Sequence, residues 1–471
     1  MLIYKDKDFL PTLLALAVPV CIQNLLSASL NFIDVFMIEK LGETSVAAVG
    51  SANQFIFFYL MLIFSVSGGA GIFAAQYWGS KNFTGIRKVM SIGLLISIAI
   101  SVLFTGLIFL FPVSILRLYS LDAAVHAIGK EYIAIVAFSC IATAISANYA
   151  VMLRSTGQVK LPMYASLIGV SLNTFGNYCL IFGAFGFPEM GVKGAAIATV
   201  IARTIEFVII VVYSYVRKHP AAINLNELLS IDTDLLGMYI SRSTPVILQG
   251  AGWSFGYNMY TMIYGHVSTV SLAAFNLASS VERICLIVFV GLGVACSIMV
   301  GNRIGSGENE KAKGYAANFL QLTIICGLLM GLLLLLSRGT LLSLYSLSDD
   351  GMQYFSGILF VMALVAFAKG LNIVFHMGVF KGGGDTLFGM IVDIGGIWLI
   401  GVPLAALGAF VLEWPVHWVV ALASIEEISK ASAAFIRFFS HKWIHNLVKP
   451  MQSKEEETVL AQSKEKETVL A

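Results

Sequence analysis

Apolar runs of about twenty residues recur along nearly the whole chain, and they limit its fold more than any other feature. An α-helix rises about 1.5 Å per residue, so roughly 20 such residues cross the hydrocarbon of a bilayer. By that ruler the sequence holds about twelve spans, centred near residues 22, 62, 100, 138, 174, 204, 248, 286, 325, 364, 398 and 427. Backbone groups in lipid must bond one another, which leaves helices or closed barrels. Runs such as Leu94 to Phe111 show no period-two alternation, and that selects helices. Composition agrees: of 471 residues, 58% are hydrophobic and 12% charged. An aqueous fold usually carries about a quarter charged residues, so this chain needs lipid around it.

Several function classes drop out. A net charge of +2 offers no broad basic face for nucleic acid. Six cysteines (Cys21, Cys140, Cys179, Cys285, Cys296, Cys326) lie singly in apolar runs, without redox or metal-ligand spacing. No His/Cys cluster suggests a metal, and no nucleophile–base pair suggests an enzyme. Gly252-Trp-Ser-Phe-Gly256 fits the string of a nucleophile elbow, but that motif needs a strand–turn–helix and here falls inside a span. Gly382–Gly384 lacks the spacing of a phosphate loop and reads as a sharp turn, so nucleotide drive is unsupported. The N-terminus mixes Lys5, Asp6, Lys7 and Asp8, and no small-residue cleavage site follows. The first apolar segment is therefore expected to stay as a span.

Lys and Arg sort between the loops. One set of loops holds Lys81, Arg87, Lys88, Arg154, Lys160, Arg217, Lys218, Arg303, Lys311, Lys313 and Lys381. The other holds Lys40, Arg117, Lys130, Lys193 and Arg338. The richer set is expected to be cytoplasmic, and both termini with it, in a multi-pass plasma-membrane protein.

The two halves of the chain repeat. With an offset of 226, Pro19-Val20 falls on Pro245-Val246, Gln23 on Gln249, Ala47-Ala48 on Ala273-Ala274, and Gly79-Ser80 on Gly305-Ser306. Leu118-Tyr-Ser-Leu121 still meets Leu344-Tyr-Ser-Leu347, and an offset of 227 sets Arg154–Gly157 on Lys381–Gly384. Each half has an even number of spans, so the repeats enter the membrane in one direction. The expected layout is a six-helix bundle over 1–216, a cytoplasmic linker over 217–234, a second bundle over 235–445 and a tail over 446–471. The tail carries the tandem decapeptide Gln452–Ala461 and Gln462–Ala471 and is expected to be disordered. One chain with both halves of a cleft makes a monomer the default.

Several short motifs occur in order. They are the Pro-Val starts of the first and seventh helices, Asp34 late in the first, and Gln76-Tyr-Trp-Gly-Ser80 closing the second. Gly194-Ala-Ala-Ile-Ala-Thr199 opens the sixth, and Gly378-Val-Phe-Lys-Gly-Gly-Gly-Asp-Thr386 follows the tenth. Together they resemble the multidrug and toxic compound extrusion (MATE) family over residues 8 to 445. The resemblance implies two six-helix bundles that export mostly cationic, amphipathic compounds in exchange for protons or sodium ions, with no other cofactor.

An ionisable side chain at membrane depth costs at least a few kcal/mol, so each is a functional candidate. Asp34 leads. Asn31, Ser27 and either Gln23 or Asn24 precede it at helical spacing and form one polar stripe. The resemblance implies that Asp34 binds the coupling cation, with Asn173, Asn177 and Thr199 as partners. One branch of that family carries an acid where Asn177 stands, which weakens the case for sodium. A lone carboxylate among amides can still take a proton, because burial disfavours the charged form. In the second half, the stripe becomes Gln249, Trp253, Tyr257 and Tyr260, an aromatic face suited to flat cations by stacking and cation–π attraction. Those four, with Gln23 and Asn31, are the expected cleft for a small-molecule cargo. Arg203–Glu206 and Glu426–Lys430 have the spacing of helical ion pairs. Asp393 and Glu427, unpaired in sequence, are reserve protonation candidates, as is His376, which reads first as a packed core histidine. The alternative cargo is a lipid-linked oligosaccharide, as for a flippase of the same fold; that cargo favours a cavity lined by arginines, and no arginine before Arg203 reads as lying near mid-depth.

Overall fold

A computed structural model describes residues 6–343, 345 and 347–448, without the side chains of Asn31 and Phe32. The tandem decapeptide lies outside the described residues, as do Leu344 and Ser346 of the repeated Leu-Tyr-Ser-Leu.

Twelve spans follow in order. The first six are Phe9–Glu39, Glu43–Gly79, Phe83–Leu110, the bent pair Ala123–Ala137 and Ser139–Ser155, Lys160–Phe182 and Val192–Val216. The seventh is Thr233–Val267. Then come Thr269–Gly305, Asn309–Ser343, Asp349–Gly383 and Thr386–Val411. The twelfth is broken at Ser424 into Val416–Ala423 and Ile425–Phe439. Nine of these helices, or ten with the pair bent by 46°, are long and apolar enough by themselves to cross a membrane. The two that fall short are the seventh and twelfth, the same two that bring Arg242, Gln249, Glu426, Glu427 and Lys430 into the bundle.

Helix starts follow from capping side chains, which satisfy backbone donors left over at a first turn. Asn82 accepts from Gly85 N at 2.8 Å, Asp122 from Ala124 N at 2.8 Å and Asp232 from Leu235 N at 3.1 Å. The linker between the halves holds a short helix of its own, Leu225–Leu229, closed by a capping box of Asn224 and Glu227. Arg87 of the third span reaches Glu227 at 2.8 Å, and Lys88 reaches Asp232 at 3.3 Å, so the linker is docked on the first half.

The halves interlock at the face that carries both described chain ends, here called the terminal face. Phe9, Leu13, Leu16 and Ala17 of the first span pack into the core of the second half. Leu235 and Tyr239 of the seventh pack into the core of the first half. Offset by 226, Phe9 corresponds to Leu235 and Leu13 to Tyr239, so the exchange is reciprocal. Backbones also touch. A methyl group on Gly79 would lie 1.9 Å from the Asn302 carbonyl oxygen, and one on Gly305 would lie 1.9 Å from that of Gln76. Gln76 and Asn302 are repeat mates, as are Gly79 and Gly305. Small residues let two helices approach this closely.

Residues 443–448 then cross the seam. Trp443 is buried in the core of the second half, while Leu447 and Val448 are buried in that of the first. The expected tail from 446 therefore begins with residues that are packed, because Leu447 and Val448 have an apolar site to fill.

Candidate functional site

Small residues bring the fifth and sixth spans together. A methyl group on Gly176 would meet the Ala198 side chain at 3.0 Å. Asn173 and Asn177, one turn apart, are thereby presented to Thr199 on one side and to the first span on the other. The Asn177 amide donates to Asp34 Oδ1 at 2.6 Å and to Asn173 Oδ1 at 3.2 Å. Asn173 in turn donates to Thr199 Oγ1 at 3.1 Å, and that hydroxyl donates to the Ala195 carbonyl at 3.0 Å. Asp34, Asn177, Asn173 and Thr199 form one continuous chain of hydrogen bonds. Asn177 Oδ1 is buried and has no partner. Arg203 lies one turn beyond Thr199 and is taken by Glu206 at 2.9 Å.

Gln23 serves a different group. Its Oε1 accepts from Arg154 Nη1 at 3.1 Å, well below Asp34 on the same helix. Ser27 spends its hydroxyl on the Gln23 carbonyl at 3.0 Å. The Asn31 side chain lies outside those described.

Charges in the second half are gathered rather than isolated. Lys430 Nζ stands 3.4 Å from Asp393, 3.4 Å from Glu427 and 3.6 Å from Glu426. Gln249 donates to Asp393 at 3.1 Å, Tyr260 donates to Glu426 at 2.8 Å, and Asn372 donates to Glu427 at 2.6 Å. Nearby, Lys369 pairs with Glu282 at 2.5 Å. Asp393 and Glu427, unpaired in sequence, thus share one ammonium across two helices. Four carboxylates stand against two ammonium groups, so two formal charges are left for protons or cations. His376 is buried, and both its ring nitrogens lack a partner.

The aromatic stripe divides. Gln249 and Tyr260 turn their polar ends to carboxylates inside the half. Trp253 is 50% exposed and stacks on Tyr257, with centroids 5.7 Å apart and planes 21° apart. Gly252 and Gly256 lie within the seventh helix, against Ile394 and Ile397 of the eleventh, so the elbow-like string serves helix packing. All six cysteines are free, and no group of metal-binding side chains occurs among the described residues.

Sequence reasoning assigned no role to two groups at the seam. Arg154 and Lys381 read as loop cations, yet both turn inward. Their signal lay in the repeat, which pairs them, but spacing carries no information on side-chain direction.

Comparison with known proteins agrees with the two-half architecture. The MatE family model matches residues 19–179 and, a second time, 245–407. The probable multidrug resistance protein NorM of Thermotoga maritima is 24% identical, over 93% of this chain and 95% of that one. The probable multidrug resistance protein YoeA of Bacillus subtilis is 26% identical, over 82% and 84%. Among solved structures, a MATE protein in complex with MaL6 superposes with a TM-score of 0.84 at 17% identity, covering 91% of this chain and 95% of that one. The Vibrio cholerae transporter VcmN, in a substituted form, does so with a TM-score of 0.84 at 18% identity, over 92% and 97%.

Proposed function

Because the chain belongs to the MatE family of multidrug and toxic compound extrusion transporters, we propose that it is a proton-coupled antiporter exporting small, cationic amphipathic compounds. The observation that carries this reading is the chain Asp34–Asn177–Asn173–Thr199: one carboxylate at membrane depth whose described side-chain hydrogen-bond partners are neutral. Such an acid can hold a proton or an organic cation, but not both. That exclusion is the elementary step of antiport. An ionised Asp34 accepts from Asn177 Nδ2; once protonated, it becomes a donor and needs an acceptor. The unpartnered Asn177 Oδ1 supplies one after a rotation of the amide.

Sodium fits less well. A sodium site is built from several oxygens and gains from more than one formal charge. Here the second acid is replaced by Asn177. Asp393, Glu427 and His376 form the reserve proton-handling group, and exposed Trp253 with Tyr257 gives the cargo a surface to stack on. The terminal face is assigned to the cytoplasm of a plasma membrane on the Lys/Arg pattern, and the working unit is a single chain in its bilayer.

Ethidium movement in everted vesicles, under an imposed proton or sodium gradient, tests the reading. The wild type is expected to move the dye on the proton gradient, and Asp34→Asn to abolish that movement. Equal transport by the variant would remove Asp34 from the coupling step. Transport on sodium alone would replace the ion.

A further inference from the structure

Arg154 and Lys381 are repeat mates on opposite halves, each at the terminal end of its span. Long cationic side chains there ordinarily snorkel outward to water. These two do the reverse. Arg154 reaches Gln23, fourteen residues above the start of the first span at Phe9, which is about 21 Å along a helix. Lys381 crosses the seam: a methyl group placed on Gly68 of the second span would lie 2.6 Å from its Nζ. Gly68 is eleven residues from the helix end at Gly79, or about 16 Å. Both cations therefore turn inward between the helices, where the halves meet.

Neither has a carboxylate. Among the described residues, the Arg154 side chain makes one hydrogen bond, to the neutral Gln23, and the Lys381 ammonium makes no hydrogen bond or ion pair. Each is within electrostatic reach of the other, and like charges repel. Unpaired charge at depth is unfavourable by several kcal/mol, so buried charges are found paired. Three other cations within the spans do have acids: Arg203 has Glu206, Lys369 has Glu282, and Lys430 has Asp393, Glu426 and Glu427. Both side chains remain half-buried rather than sealed, so an incoming group can reach them.

We propose that Arg154 and Lys381, with Gln23 between Arg154 and the first span, form a binding site for an oxyanion carried by an amphipathic cargo. The site rests on the export reading above and extends it: the cargo is zwitterionic or anionic at one end, with its cationic or flat end directed at Asp34 and Trp253. A guanidinium and an ammonium are the groups that recognise carboxylate and phosphate. The oxyanion then bridges two halves that otherwise present like charges across the seam.

Rhodamine 110, a free carboxylic acid, and rhodamine 123, its methyl ester, provide matched probes for full-length protein in vesicles. The wild type is expected to favour the acid over the ester. Hydrogen bonds to charged groups are worth enough that Arg154→Gln with Lys381→Gln should lower that preference about tenfold. The charge-preserving exchange of Arg154→Lys with Lys381→Arg should keep it, which separates charge from folding. An unchanged preference in the glutamine variant, or no preference in the wild type, overturns the site while leaving the export reading in place. Movement of neither dye overturns the export reading beneath it. Competition against rhodamine 110 by benzoate or by dioctanoyl phosphatidic acid then identifies a soluble or a lipid source, and competition by neither counts against the site.

Discussion

Asn177 is the residue whose chemistry decides most. It differs from aspartate by one atom, and its amide sits 2.6 Å from the Asp34 carboxylate. Replacing it with aspartate would set two acids within hydrogen-bond distance, and two such acids cannot both ionise without a cation between them. Asn173 Oδ1 and Thr199 Oγ1 already line the same chain and would complete an oxygen cage. Asn177→Asp is therefore expected to confer sodium-driven ethidium efflux, measured in the same vesicles with and without a sodium gradient. A variant indifferent to sodium would show that the missing acid is not what sets the ion. These four residues were legible in the sequence, because helical spacing put Asn173 and Asn177 on one face and the resemblance joined them to Asp34. The approach of Asp393 to Lys430 was not, since contacts between helices leave no periodic trace; Glu427, read as unpaired, stands three residues before Lys430 on the same helix and pairs with it at 3.4 Å.

Whole elements were easier to see than side-chain directions. Span positions follow from hydropathy: the twenty-residue ruler placed all twelve, including the seventh and the twelfth, which is broken at Ser424 into two short helices. What hydropathy cannot show is where two helices touch. The second and eighth do so backbone to backbone at Gly79 and Gly305, where a methyl group would stand 1.9 Å from a carbonyl oxygen that cannot easily move. Forcing atoms into a packed site costs about 1–3 kcal/mol. Gly79→Ala and Gly305→Ala should each lower the thermal unfolding midpoint in detergent. Gly237→Ala and Gly339→Ala, where nothing lies within 4 Å, should leave it in place. Equal shifts in all four would mean that helix propensity, not the crossing, is being measured.

At the scale of the molecule, transport requires the terminal face to open, and the structure shows what holds it shut. Gln76, fully buried in the second span, donates to the carbonyls of Gly382 at 3.1 Å and His445 at 3.0 Å, and accepts from Leu447 N at 2.8 Å. Asn446 donates to the Ile304 carbonyl at 2.9 Å. Residues 443–448 thus act as a strap across the seam. Asp385 anchors it from the second half, 2.7 Å from Arg437 and 3.7 Å from His445. Burial alone would push the Asp385 carboxyl up, but His445 beside it and the hydrogen-bonded guanidinium of Arg437 outweigh burial and hold the acid below its ordinary value of 3.8. A carboxylate with a lowered folded value contributes stability that is present above the unfolded value and lost as pH falls through the folded one. The strap should therefore stay fastened through the physiological range and loosen only below about pH 4. Hydrogen–deuterium exchange, corrected for the intrinsic pH dependence, reads this directly. Amides of 443–448 and of the terminal ends of the second and eighth spans should exchange faster in acid, and Asp385→Asn should show the same pattern at neutral pH. Gln76→Ala should do so at every pH, because its bonds do not titrate. If neither variant changes exchange at those helix ends, the strap rides on a closure made elsewhere, and the interlocked first and seventh spans are then what must part for the cleft to turn inward.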